Sequence, residues 1–228
     1  MTISVNLLAG GKEYFDIPID KWEYNTTDDV AISFVRYKSD QEIQTKPIHQ
    51  NMFLTEQLVK THNIGIGDDI FLVGRHARYE GTHTNIPMTR TGCISLMPNA
   101  ECLRHPETND CQASFIVETK TISGYSGAPV FVRILPYNIR NFQKTPVEVL
   151  KQYRAYFLGI HWGHLDTDLT IIEGSSTTSH EKAMNSGLGC VVPAWKVQAL
   201  LQQPELKDII DEHVAKNTKS VAVEPTTS

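Results

Sequence analysis

The chain is dominated by short runs in which apolar residues alternate with polar ones or follow one another unbroken. DVAISFVRY (29–37), GDDIFLVGR (67–75), QASFIVETK (112–120), APVFVRIL (128–135), YFLGIHWG (156–163) and GLGCVVP (187–193) are rich in β-branched and aromatic residues. Gly, Pro, Asn and Asp punctuate the intervals, and the pattern predicts six strands. Helical periodicity appears only near the carboxyl end, where Trp195, Val197, Leu200 and Leu201 begin an apolar stripe that Leu206, Ile209, Ile210 and Val214 continue beyond Pro204. The stretches 138–154 and 164–186 carry neither period and read as surface loops, the first with room for one short helix. KNTKSVAVEPTTS at the end reads as a frayed tail. Short strands separated by turn signals, with a single terminal helix, predict an all-β barrel or sandwich and not a parallel α/β sheet.

Composition narrows the function more than the fold. The 228 residues, 40% apolar and 21% charged, suffice for one globular domain or two small ones. With 21 basic residues against 26 acidic ones and no basic run, neither nucleic acid nor an anionic membrane is an expected partner. The segment MTISVNLLAGGKEYFD has no basic region followed by an apolar one, and no stretch approaches the roughly 18 apolar residues of a membrane span, so a cytoplasmic location is expected. Cys93, Cys102, Cys111 and Cys190 form no C-x-x-C pair and have no metal-spaced histidines. Free thiols are the leading reading, a disulfide the alternative, and neither metal nor cofactor is expected.

The candidate chemistry lies in ISGYSGAPVFV (122–132), where a serine stands between two glycines just ahead of a strand. A serine nucleophile needs backbone N–H donors aimed at the oxyanion it creates, and a tight turn supplies them. Gly124 and Gly127 can adopt backbone conformations closed to other residues, and Ala128-Pro129 leads stiffly into PVFVRIL. An ordinary small-residue turn between strands is the competing reading. The α/β-hydrolase elbow does not fit, since Ala128 stands where its last glycine belongs and a strand follows instead of a helix. Asp29 opens the apolar run DVAISFV, a position suited to holding and orienting a histidine ring.

In this order, DVAISFV, GDDIFLVGR, SGYSGAPVF, LGIHWG and GLGCVVP resemble the trypsin/chymotrypsin-like serine peptidases, and more closely their bacterial trypsin-like domains, over about residues 20 to 201. The resemblance implies a double antiparallel β-barrel, with the first barrel incomplete and a carboxyl-terminal helix. It divides the chain into a remnant of the first barrel with its linker (1–62), a second barrel carrying the nucleophile (63–203), and the terminal helix and tail (204–228). It further implies Ser126 as nucleophile, Asp29 as orienting acid, and the N–H groups of Gly124 and Ser126 as oxyanion hole. His161, Trp162 and Gly163 would form the strand that holds an extended peptide or protein substrate. Lys120 would fall at the base of the specificity pocket, although a solvent-facing lysine is the stronger reading.

The family's histidine precedes its aspartate, whereas the first histidine here is His49. A segment lost from the amino end is the favoured explanation. A degenerate fold that binds peptides without cutting them, and a substitute base drawn from His49, His83 or His161, are the others. His161-x-x-His164-x-Asp166-x-Asp168 offers metal-type ligands, but a solvated polar loop is the stronger reading, and Asp28 beside Asp29 reads as the last turn residue before a strand. The expectation is a serine endopeptidase domain of weak or no activity as it stands.

Overall fold

The computed structural model describes residues 1–24, 26–35, 42–75, 81–99, 103–104, 111–119, 124–138, 143–152, 155–170, 181–204 and 206–212. Two short ribbons come first: β1 (Thr2–Asn6) pairs with β2 (Lys12–Asp16), and β3 (Glu23–Tyr24) with β4 (Ala31–Ile32). Helix α1 (Glu56–Thr61), capped by the Thr55 hydroxyl accepting from the Leu58 N–H, leads into β5 (Asp69–Gly74) and β6 (Met88–Leu96). Then come β7 (Leu103–Arg104), β8 (Cys111–Gln112), β9 (Phe115–Glu118), β10 (Pro129–Arg133), β11 (Tyr137–Asn138) and β12 (Gln143–Lys144). Helix α2 (Val147–Gln152), the long strands β13 (Ala155–Thr170) and β14 (Glu181–Pro193), and α3 (Ala194–Leu201) complete the named elements.

Six strands close into an antiparallel barrel in the order β10-β13-β14-β9-β6-β5, with β5 returning to pair with β10. Closure leaves no free edge in this sheet, and the inward side chains must fill the interior. Leu72, Ile94, Phe115, Val117, Val130, Val132, Leu158 and Val191 expose none of their surface. One end of this core is covered by α3, whose Ala194, Val197 and Leu200 are buried and whose Trp195 meets Phe115 edge-on with ring centroids 5.5 Å apart. Before α1, Phe53 bridges to Phe157 and the Leu54 N–H donates to the Phe157 carbonyl at 3.0 Å, so this segment is fastened to β13. Among the described residues no helix is long and apolar enough to cross a membrane.

Several elements depart from the sequence reading. The stretch 164–186, read as a loop, continues β13 and β14 as a paired arm from Asp166↔Asn185 to Thr170↔Glu181; residues 171–180 lie outside the described ones. Its backbone groups satisfy one another, so the arm needs no apolar face to be regular. The run 29–37 forms only the two-residue strand β4 within its described part. Strand β6, MTRTGCISL, is a full member of the barrel although only Ile94 on it is completely buried, which is why no apolar pattern announced it. The expected short helix in 138–154 is α2, and the expected terminal stripe appears as α3 and, past a turn at 202–203, as the helical residues 206–212; the tail beyond 212 lies outside the described residues.

Candidate active site

The sequence Gly124-Tyr125-Ser126-Gly127 makes a turn at the entrance to β10, with φ of 104° at Gly124 and 83° at Gly127. Both values lie in the left-handed region that glycine enters without penalty. A Cβ on Gly127 would meet nothing within 4 Å, so the requirement there is conformational and not one of space. Tyr125 anchors the turn. Its side chain is fully buried, its ring lies where a Cβ on Gly74 would come within 2.6 Å, and its hydroxyl accepts from Arg90 Nε at 3.3 Å. On the far side the Gly127 N–H donates to the His161 carbonyl at 2.8 Å and the His161 N–H to the Ala128 carbonyl at 2.9 Å, tying the turn to β13.

Between these two anchors Ser126 is exposed. Its hydroxyl donates to the Trp162 carbonyl at 3.2 Å. That carbonyl is available because β13 bulges here: His161 stands opposite Val191 and Gly163 opposite Cys190, so Trp162 is the extra residue. The indole Nε1 of Trp162 donates to Ser114 Oγ at 3.0 Å, fixing the bulged residue against the strand that begins at Phe115. Among the described residues the N–H groups of Gly124 and Ser126 have no acceptor. Ser126, Gly124 and Gly127 line an open cavity of about 550 Å³, whose other wall comes from Ser4 and Asn6 of β1, Arg75 and Asn85.

His161 lies behind the turn with no exposed surface, and neither ring nitrogen has a hydrogen-bond partner among the described residues. Burial, reinforced by the neighbouring His164, pushes its pKa from 6.5 down to about 4, with the Tyr125 carbonyl pulling weakly the other way. Its ring lies over the backbone of Gly189, where a Cβ would come within 2.8 Å of Nε2. Such a histidine is neutral at physiological pH, and its ring makes no hydrogen bond to Ser126. His161 and His164 meet with ring centroids 4.9 Å apart; the side chains of Asp166 and Asp168 lie outside the described residues. No cluster of three or more metal-type ligands occurs among the described residues.

Asp29 is exposed, and its N–H donates to Gln112 Oε1 at 2.9 Å; it neither bonds Ser126 nor lines the cavity. Its neighbour Asp28 is the buried one of the pair, with 5% of its side chain exposed against Lys196 of α3. Gly163, with Trp162, continues the β13 bulge beside the serine. Lys120 lies outside the described residues. Cys93 and Cys190 are free thiols, and burial raises the Cys190 pKa to about 12. The sequence reading singled out neither Tyr125 nor the Arg75–Asn85 wall. A bulky aromatic inside a run of small residues was the one available signal for Tyr125. No family model, no curated protein and no solved structure matches the chain.

Proposed function

We propose that the chain is a trypsin-like serine endopeptidase domain whose closed barrel corresponds to the second of the two barrels of that fold. One observation carries the reading: an exposed serine at the tip of a glycine turn faces an open cavity, with the Gly124 and Ser126 N–H groups left without acceptors beside it. A tetrahedral oxyanion requires N–H donors beside the nucleophile, and these two are without an acceptor among the described residues. In the proposed reaction Ser126 Oγ bonds to the substrate carbonyl carbon, the scissile C–N bond breaks, and the serine proton passes through a base to the leaving amine. That base would be a histidine other than those placed beside Ser126 here; Asp29, expected to orient it, does not line the cavity. His161, buried and neutral, is unsuited to that task; with Trp162 and Gly163 it belongs to the strand proposed to pair with substrate backbone.

A second reading, a peptide-binding module without catalysis, is favoured by the serine hydroxyl itself, which donates to a carbonyl and not to a base. A serine-directed fluorophosphonate separates the two. With imidazole added as the external base, the peptidase reading expects a mass increase of one adduct on the folded chain that Ser126→Ala lacks. No adduct on folded protein, with or without added imidazole as an external base, refutes an activated serine and leaves the binding module.

A further inference from the structure

The wall facing Ser126 contains one charged side chain among the described residues, Arg75, and no acidic one. Arg75 follows the last residue of β5, whose Gly74 packs on the Tyr125 ring, so the contact that seats the serine turn also sets where this arginine emerges. Its Nη1 donates to Asn85 Oδ1 at 2.6 Å and to Ser4 Oγ at 3.0 Å. Asn85 is itself fixed: its N–H donates to Asn6 Oδ1 at 2.6 Å, its carbonyl accepts from Asn6 Nδ2 at 3.0 Å, and its Nδ2 donates to the Ser4 carbonyl at 3.0 Å. One corner of the guanidinium is therefore held from behind while the residue stays exposed. Among the described residues no carboxylate pairs with it, and its Nε and Nη2 protons have no acceptor.

Arg75 lines the cavity, and among the described residues its planar fork keeps two parallel donors without an acceptor, the geometry that grips a carboxylate through two hydrogen bonds. We propose that Arg75 is a substrate-recognition residue that binds the carboxylate of an acidic side chain in the peptide lying along the Ser126 cavity. The proposal rests on the reading of that cavity as a peptide site and adds the substrate class to it.

The test is an NMR titration of the isotope-labelled full chain carrying Ser126→Ala, which removes turnover. The probes are carboxyl-amidated alanine hexapeptides with one glutamate moved through the positions, each paired with its glutamine counterpart, and an all-alanine hexapeptide with a free carboxyl end. At one position the glutamate peptide is expected to bind about tenfold more tightly than its glutamine twin and to shift the Arg75 Nε–H resonance. Arg75→Gln is expected to abolish the difference, and Arg75→Lys, which keeps the charge but loses the fork, to retain only part of it. Preference for the free-acid alanine peptide over every amidated glutamate peptide would overturn the side-chain assignment in favour of a terminal carboxylate. Equal binding of each pair overturns carboxylate recognition while leaving peptide binding intact, and so does a preference that survives Arg75→Gln in protein with an unchanged spectrum elsewhere. Failure of Ser126 to label leaves these affinities untouched, so the two readings fail separately.

Discussion

The buried imidazole of His161 makes the stability of this protein depend on pH in a definite direction. In the unfolded chain the ring takes up a proton near pH 6.5, whereas in the folded chain it does so only near 4. The folded pKa is depressed for a basic group, so its contribution is fully present above 6.5 and is lost as the pH falls through 4. At about 1.4 kcal/mol for each pH unit between the two values, the whole effect is about 3 kcal/mol, most of it lost between pH 8 and pH 4.5. Because the side chain has no exposed surface, solvent screening does not reduce it. Urea unfolding of the wild type and of His161→Gln at both pH values isolates the contribution of His161 together with its coupling to His164. The wild type should lose about 2 to 3 kcal/mol more than the variant on acidification. Parallel losses in the two proteins would show that His161 is charged in the fold, or that the barrel opens to hydrate it, and would refute a neutral buried ring behind the serine turn.

Other consequences are purely structural. A Cβ on Gly92 would lie 1.6 Å from the Glu118 carbonyl oxygen, between two paired strands, so Gly92→Ala should cost about 3 kcal/mol or more in urea unfolding. Lys196→Met removes the cation paired with the buried Asp28 carboxylate and should cost about 2 kcal/mol or more in urea unfolding, and less in a chain that already carries Asp28→Asn; losses that simply add across the two single variants and the double variant would show that the pair is not coupled.

Legibility followed burial. The strands whose inward residues are Leu, Ile, Val or Phe, such as β5 with Ile70 and Leu72 or β10 with Val130 and Val132, announced themselves by alternation. Strand β6 did not, because Thr89, Arg90, Thr91, Gly92 and Cys93 hold their place through ladders to β5 and β9, and backbone pairing leaves no mark on side-chain pattern. The β13–β14 arm is the same case carried further. At the site, the glycine turn was legible because positive φ selects a residue type, as at Gly124 and Gly127. Its surroundings were not: Arg75, Asn85 and Ser4 come together from segments as much as 81 residues apart, and no local spacing encodes that meeting. The adjacent aspartates illustrate the same limit, for an apolar run after Asp29 said nothing about which of Asp28 and Asp29 would meet Lys196.

The bulge at Trp162 joins the serine to the barrel. The carbonyl that receives the Ser126 hydroxyl is the extra residue of β13, inserted where Val191 and Cys190 are consecutive on the partner strand. Deleting that residue would bring His161 and Gly163 together opposite Val191 and Cys190 and so restore regular pairing, every later residue of β13 keeping its partner and its face, while the carbonyl that receives the serine hydroxyl is lost. The barrel would close as well or better without Trp162, so the extra residue serves the serine and not the sheet.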